Sequence, residues 1–325
     1  MAADTPIVVY YEHPHWFEPL FDELQRRDIP FRRLEADRHR FEPSLPASRN
    51  GHALLFNRMS PSAWKRGHGG TILYTLHYLA WLEARGMPVF NGLAAFTTET
   101  SKALQVSLLE RLDLPVPRTR VVNHPHLLAE AAEGLIFPLL VKPNIGGSGA
   151  GIVRFDTPGG LRAAVTAGEI DGGLDRTLLL QEYHPPLHDS IVRVETLEGR
   201  YLYGIRVHLA RDAGFDLCPA DICRTVEGET LESAACPADA RKSGLSVERY
   251  DPPSWIVAAV EKIAVAAGLD VGGIEYLEST RDGRHYFYDI NALSNFVADP
   301  VRVVGFDPTE RLVDALVARA GGRRS

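Results

Sequence analysis

Lysine is scarce in this chain. Of its 35 basic residues, 30 are arginine and only Lys65, Lys102, Lys142, Lys242 and Lys262 are lysine. Cysteine is scarcer still, with Cys218, Cys223 and Cys236 confined to one short stretch. An odd, low thiol count excludes a disulfide framework. The pair in Cys218-Pro-Ala-Asp-Ile-Cys223 has one further cysteine nearby, so small buried thiols fit it better than a zinc site. No apolar run approaches the ~20 residues of a membrane span. The opening Met-Ala-Ala-Asp-Thr-Pro-Ile-Val-Val-Tyr has no basic region and no long apolar stretch, so no membrane partner and a cytoplasmic location are expected. Positive charge is not in excess. A net charge of −7 argues against a general nucleic-acid binder. What is present is an ordinary globular composition, 45% hydrophobic and 24% charged, over 325 residues, which suggests two or three structural units.

In a chain that favours arginine so heavily, the surviving lysines should be enriched at positions needing a compact ammonium. Lys242 and Lys262 look like plain surface residues. Lys142 does not. It ends an apolar strand in Pro138-Leu-Leu-Val-Lys-Pro, and glycines follow at 146, 147, 149 and 151, with Ser148 among them, before a second strand over 152–155. Glycine lets backbone approach a ligand closely, and successive N–H groups in such a loop form a concave anion site. The spacing removes two common phosphate clamps. A P-loop places its lysine after the glycines and opens a helix. A dinucleotide fingerprint needs a third glycine where Ile152 or Arg154 stands. What remains is a strand–loop–strand flap over phosphate, with a simple glycine-rich hairpin as the alternative reading.

The first ~95 residues alternate strand and helix. Strands are expected at 7–11, 53–56 and 88–90, with helical spacing through Phe17, Leu20, Phe21 and Leu24 and again over 71–85. Such alternation predicts a small parallel sheet covered by helices. A second unit, 96–183, should carry a helix over 97–112 with Lys102 near its start, strands at 118–122 and 178–183, and the flap. A third, 184–325, reads as antiparallel, with hairpins turning at Glu198-Gly199 and Asp282-Gly283, helices over 255–267 and 309–320, and a frayed tail.

Tyr286-Phe-Tyr-Asp-Ile-Asn291 ends the last hairpin. Asp289 and Asn291 are two residues apart and share a strand face. Glu275 lies on the partner strand, opposite Asp289 or one residue off. These hard oxygen donors suit Mg²⁺ or Mn²⁺; solvated acids on a surface hairpin are the alternative.

With these motifs in order, the chain resembles the ATP-grasp superfamily, and most closely its RimK-like carboxylate–amine ligases. The resemblance runs from about residue 57 to 300. It rests on Thr100-Ser-Lys-Ala-Leu, Pro138-Leu-Leu-Val-Lys-Pro with its glycines, Leu180-Gln-Glu-Tyr183, and Gly273-Ile-Glu275 followed by Asp289-Ile-Asn291. It implies an α/β (α+β) ATP-grasp architecture, a small N-terminal domain followed by two subdomains clamping ATP. It also implies that Lys102 and Lys142 hold the phosphates with the flap, Gly146 to Gly151. Gln181, Glu182 and Tyr183 would meet adenine, Asp189 the ribose, and Glu275, Asp289 and Asn291 the Mg²⁺ (or Mn²⁺) ions. Arg206 looks like the family arginine that faces the transferring phosphoryl group, with Arg193 a second candidate. Asp289 stands where many members carry glutamate, and the Cys218–Cys223 segment matches no general family role.

The activity implied is ADP-forming ligation of a small-molecule acid to an amine through an acyl phosphate. A small-molecule kinase and a non-catalytic ATP-binding protein are the alternatives, and a homodimer is possible among similar ligases. Arg58 and the loop Lys65-Arg-Gly-His-Gly-Gly70 have two open readings, recognition of a substrate carboxylate or interdomain salt bridges.

Overall fold

A computed structural model describes residues 5–13, 15–44, 51–147, 149–209 and 245–322. Ser148 and the three cysteines lie outside them. The described residues build three sheets, one parallel and two antiparallel.

The first sheet comes from β1 (Ile7–Tyr11), α1 (Glu18–Arg26), β2 (Phe31–Glu35), β3 (Leu54–Arg58), α2 (Gly69–Glu83) and β4 (Val89–Phe90). Its strand order is β2-β1-β3-β4, all parallel. Both faces of a parallel sheet need cover, and β1 is accordingly buried at all five positions. Val8, Tyr10 and Leu55 meet α2 on one face. Ile7, Val9 and Phe56 meet α1 on the other, in a core shared with the C-terminal part of the chain. The sequence reading omitted β2. Phe-Arg-Arg-Leu-Glu is an edge strand with two exposed arginines, so it lacks the apolar run that marked its neighbours.

Two helices follow, α3 (Leu93–Glu99) and α4 (Lys102–Arg111). A single helix was expected over 97–112. The break falls at Ser101, whose extended backbone and side-chain oxygen cap the Leu104 N–H at 3.3 Å. This puts Lys102 at the first position of α4. Both helices pack through Ala95, Leu108 and Leu109 against the third sheet and its helix.

The second sheet contains β5 (Thr119–Val122), α5 (Leu128–Ala131), β6 (Leu139–Pro143), β7 (Val153–Phe155), α6 (Pro158–Ala167) and β8 (Leu178–Glu182), in the order β5-β8-β6-β7. The flap is the connection from β6 to β7. The third sheet has β9 (Ser190–Leu197), β10 (Arg200–His208), β11 (Ser246–Arg249), α7 (Ser254–Ala267), β12 (Val271–Glu278) and β13 (His285–Asn291), in the order β11-β10-β9-β12-β13. The helices α8 (Pro300–Val304) and α9 (Pro308–Ala320) close the chain, and Leu312 and Leu316 of α9 complete the core under the first sheet. Short β11 and α8 were absent from the sequence reading.

Candidate active site

One cleft of about 390 Å³ opens where the second and third sheets face each other beneath the flap, with the first unit as a further wall. That volume suits a small-molecule site, typically ~300–1,000 Å³. Asn144, just past Lys142, joins two of the elements that reach this cleft. Its backbone carbonyl accepts the Lys102 N–H at 3.2 Å, and its side-chain Oδ1 accepts the Ala103 N–H at 3.0 Å and the Ser101 hydroxyl at 3.1 Å. The start of α4 is thereby tied to the end of β6, and two distant lysines enter one cavity. Only the position of Asn144 beside the flap hinted at this.

Lys142 is buried and donates to Gln181 Oε1 at 2.6 Å, while Gln181 Nε2 donates to Thr119 at 2.8 Å. Burial, and then the Lys102 charge, push the Lys142 ammonium down to about 8. Lys102 Nζ lies 2.7 Å from Asp289 Oδ1. Asn291 Nδ2 donates to the other Asp289 oxygen at 3.0 Å.

Glu275 pairs directly with Asp289 in the β12–β13 register, and Gly273 with Asn291. The register then shifts, so that Tyr276 faces Phe287 and Tyr288 is left as an extra residue. Burial, and then the Asp289 charge, raise Glu275 above its usual range against the pull of Arg193. For Asp289, burial acts upward, but Lys102 and Asn291 outweigh it and hold the carboxyl below its usual range. Glu275, Asp289 and Asn291 thus present hard oxygens from adjacent strands. Among the described residues no third His, Cys, Asp or Glu completes a cluster with the two acids.

Arg193 is the cation at this end. It is buried, with Nη1 3.0 Å from Glu275 and Nε 2.6 Å from Glu195. Burial works against its charge, but the two carboxylates hold it firmly protonated. Gly273 is required beneath it, because a Cβ there would lie 2.5 Å from Nη2. Arg206 is placed differently. Ile205 pairs with Arg193, so Arg206 pairs with Val192, whose side chain belongs to the α7 face. Its guanidinium lies 4.1 Å over the Tyr250 ring and 4.0 Å from Glu248, and it does not line the cleft. Of the two arginines that the resemblance offered, Arg206 first and Arg193 second, Arg193 lines the cleft and Arg206 does not.

Gln181, Glu182 and Tyr183 line the cleft where β8 ends. Glu182 Oε1 accepts the Ile136 N–H at 2.8 Å, and Arg154 of β7 lies 4.7 Å over the Tyr183 ring. Asp189 does not join them. It is exposed, in a left-handed turn at φ 46°, with its carbonyl accepting the Leu209 N–H at 2.8 Å. Of the flap glycines, Gly147 and Gly149 line the cleft, and Gly146 and Gly151 flank it. Gly147 rests on the first unit, where a Cβ would meet Ser62 Cβ at 2.9 Å and Ser62 N at 3.1 Å.

Sequence reasoning missed Glu99, Trp16, Ser60 and Ser62, which also line the cleft. Arg58 takes neither of its two readings in simple form. Buried against Phe17 and Phe56, it donates to the Ser294 carbonyl and to Asn295 Oδ1, the latter at 3.1 Å. Arg66 of the neighbouring loop pairs instead with buried Glu12.

The Lys142 shift has a measurable consequence. Its value in the fold lies below that of free lysine, so the unfolded chain binds more protons between the two. Wild type should therefore gain stability relative to Lys142→Met as pH rises from about 7 to about 10. Urea denaturation of both proteins across that window checks the sign; parallel pH profiles would contradict it.

Two facing subdomains with a glycine flap over a lysine-bearing cleft define the ATP-grasp fold, and comparison with solved structures agrees. The chain is similar to the ATP-grasp ligase PsnB, complexed with a phosphomimetic variant of minimal precursor, Mg and ADP. That match has 19% identity and a TM-score of 0.67, over 98% of this chain and 99% of PsnB. It is also similar to a RimK-domain ATP-grasp protein from Sphaerobacter thermophilus, with 16% identity, a TM-score of 0.65, and 95% and 99% of the two chains covered. A third is D-alanyl-alanine synthetase A from Vibrio cholerae, with 13% identity, a TM-score of 0.66, and 99% and 100% covered. No family profile matches the sequence. Among the described residues no helix is long and apolar enough to cross a membrane.

Proposed function

We propose that the protein is an ATP-dependent, ADP-forming ligase that joins a carboxylic acid to an amine through an acyl phosphate. The observation that carries this reading is the convergence of Lys102, Lys142 and Arg193 with the Glu275–Asp289–Asn291 oxygens in one cleft under a glycine flap. Phosphoryl transfer needs positioning and charge neutralisation more than covalent chemistry from the protein. These residues supply both.

Mg²⁺ fits the donors. Buried Glu275 and part-buried Asp289 face each other on paired strands, and burial together with the Asp289 charge raises the Glu275 carboxyl, which a dication would relieve. Bound there, Mg²⁺ would neutralise phosphate charge and orient the transferred group. Lys102 and Lys142 hold the phosphates, and Gln181 to Tyr183 meet adenine. Arg193, held rigid by two carboxylates, faces the transferring phosphoryl group. A carboxylate oxygen of the acid attacks the γ-phosphorus, and ADP leaves with the bridging electron pair. The amine nitrogen then attacks the acyl carbon, the C–O bond breaks, and phosphate leaves with that pair. The nitrogen gives its surplus proton to solvent. Closed over the cleft, the flap keeps water from the acyl phosphate.

The test is an ADP-release screen over amino acids and small carboxylic acids with hydroxylamine present. A hydroxamate of the active acid is the expected product. A stable phosphoester without hydroxamate would make the protein a kinase, and bound ATP without ADP formation would make it non-catalytic.

A further inference from the structure

Among the described residues four carboxylates line the cleft: Glu99, Glu182, Glu275 and Asp289. Three have clear engagements. Asp289 pairs with Lys102, Glu275 with Arg193, and Glu182 accepts the Ile136 N–H. Glu99 is different. It is 4% exposed, and its Oε1 accepts the Leu293 N–H at 2.9 Å. No described side chain forms an ion pair with it or donates to its Oε2.

A buried carboxylate without a cation in contact is costly. The surrounding charges leave it so. Burial raises its carboxyl to about 8, against the Leu293 N–H and the more distant Arg58, and Asp289 adds to the rise. It is not a further metal ligand in this arrangement, since it forms no cluster with Glu275 and Asp289. The cleft wall on its side comes from the segment after β13, through Leu293, Asn295 and Phe296, and that segment is fixed from behind by Arg58. The cleft is therefore polar in a second sense. Lys102, Lys142 and Arg193 make one end cationic, and Glu99 places at another point a carboxyl that burial keeps protonated at neutral pH until a cation reaches it.

Given the ligase reading, on which this inference rests, we propose that Glu99 is the contact that binds the ammonium group of the amine substrate. An incoming amine is cationic at neutral pH and supplies the partner that Glu99 lacks. Ionised by that pairing, Glu99 then takes one ammonium proton, which frees the nitrogen lone pair for attack. The carboxylate of the acid finds no cation there and is left to the cationic end, so the two substrates are sorted by sign. The substrate class that follows is a primary amine whose ammonium enters the cleft charged, an amino acid or an alkyl diamine.

The experiment uses the full-length protein with ATP, Mg²⁺ and a mixture of the common amino acids and small carboxylic acids. The nucleophile is either hydroxylamine, uncharged at neutral pH, or a panel of amino acids and alkyl diamines. The readout is the ratio of amide to hydroxamate. Glu99→Gln should lower this ratio by about 100-fold, and Glu99→Asp, which keeps the charge on a shorter arm, by about tenfold. Melting temperatures show whether each variant folds. Should Glu99→Gln not fold, the Glu99→Asp ratio decides. An unchanged ratio overturns the proposal, as does hydroxamate formation by wild type with no amide from any cationic amine. Wild type that forms no hydroxamate at all overturns the ligase reading itself, a separate outcome.

Discussion

Asp289→Ala is expected to lower ADP release by about 1,000-fold or more while the melting temperature stays within a few degrees of wild type. The two halves of this expectation have different sources. Asp289 takes Lys102 on one oxygen and Asn291 on the other, and stands opposite Glu275. Its loss removes the partner of Lys102, the lysine proposed to hold phosphate, and one of the two acids proposed to hold Mg²⁺. Stability suffers less, because Lys102 and Asp289 keep 16% and 20% of their side-chain surface exposed. Water can reach the Lys102 ammonium once its partner is removed, and buried Glu275 loses a like-charged neighbour. Steady-state ADP release with the active acid, beside a thermal melt, checks both. Turnover within tenfold of wild type would remove Asp289 from the reaction.

Arg193→Met should differ in its effect on the fold, with stability falling by about 3–5 kcal/mol. Here the whole guanidinium is buried between Glu195 and Glu275, which are themselves 0% and 5% exposed. Removing the cation strands two carboxylates in the interior at the centre of the third sheet, where β9 pairs with both β10 and β12. Arg193→Lys should recover little, because an ammonium lacks the planar fork that reaches two acceptors at once. Urea denaturation gives the free energy directly. An unfolding midpoint equal to that of wild type would mean that the network does not hold these strands.

Arg193 also marks where sequence reading reached its limit. The strand Tyr203-Gly-Ile-Arg-Val and the strand containing Arg193 were both legible as strands. Which arginine faces the cleft depends on how the two strands pair across Glu198-Gly199, a register that a single sequence does not specify. The Glu275–Asp289–Asn291 trio was more legible, because period-two alternation and a short turn constrain a hairpin to within about one residue. Lys102 and Lys142 stood out against an arginine-rich background, but the Asn144 clamp that joins them is a tertiary contact between unrelated segments. Glu99 left no local signature. It ends a short helix whose apolar stripe ran on visually into the next, and only the cap at Ser101 separates them. Edge strand β2 was hidden by its arginines for the same reason that it is tolerated at an edge.

The contact between Gly147 and Ser62 makes the flap a seam as well as a cover. With no room for a methyl group between them, backbone of the second unit lies directly on backbone of the first. Any lift of the flap must part these two units, and any retreat of the first unit unseats the flap. Traffic past the phosphates and traffic past the Ser60–Ser62 wall therefore pass through one shared opening and cannot be scheduled separately.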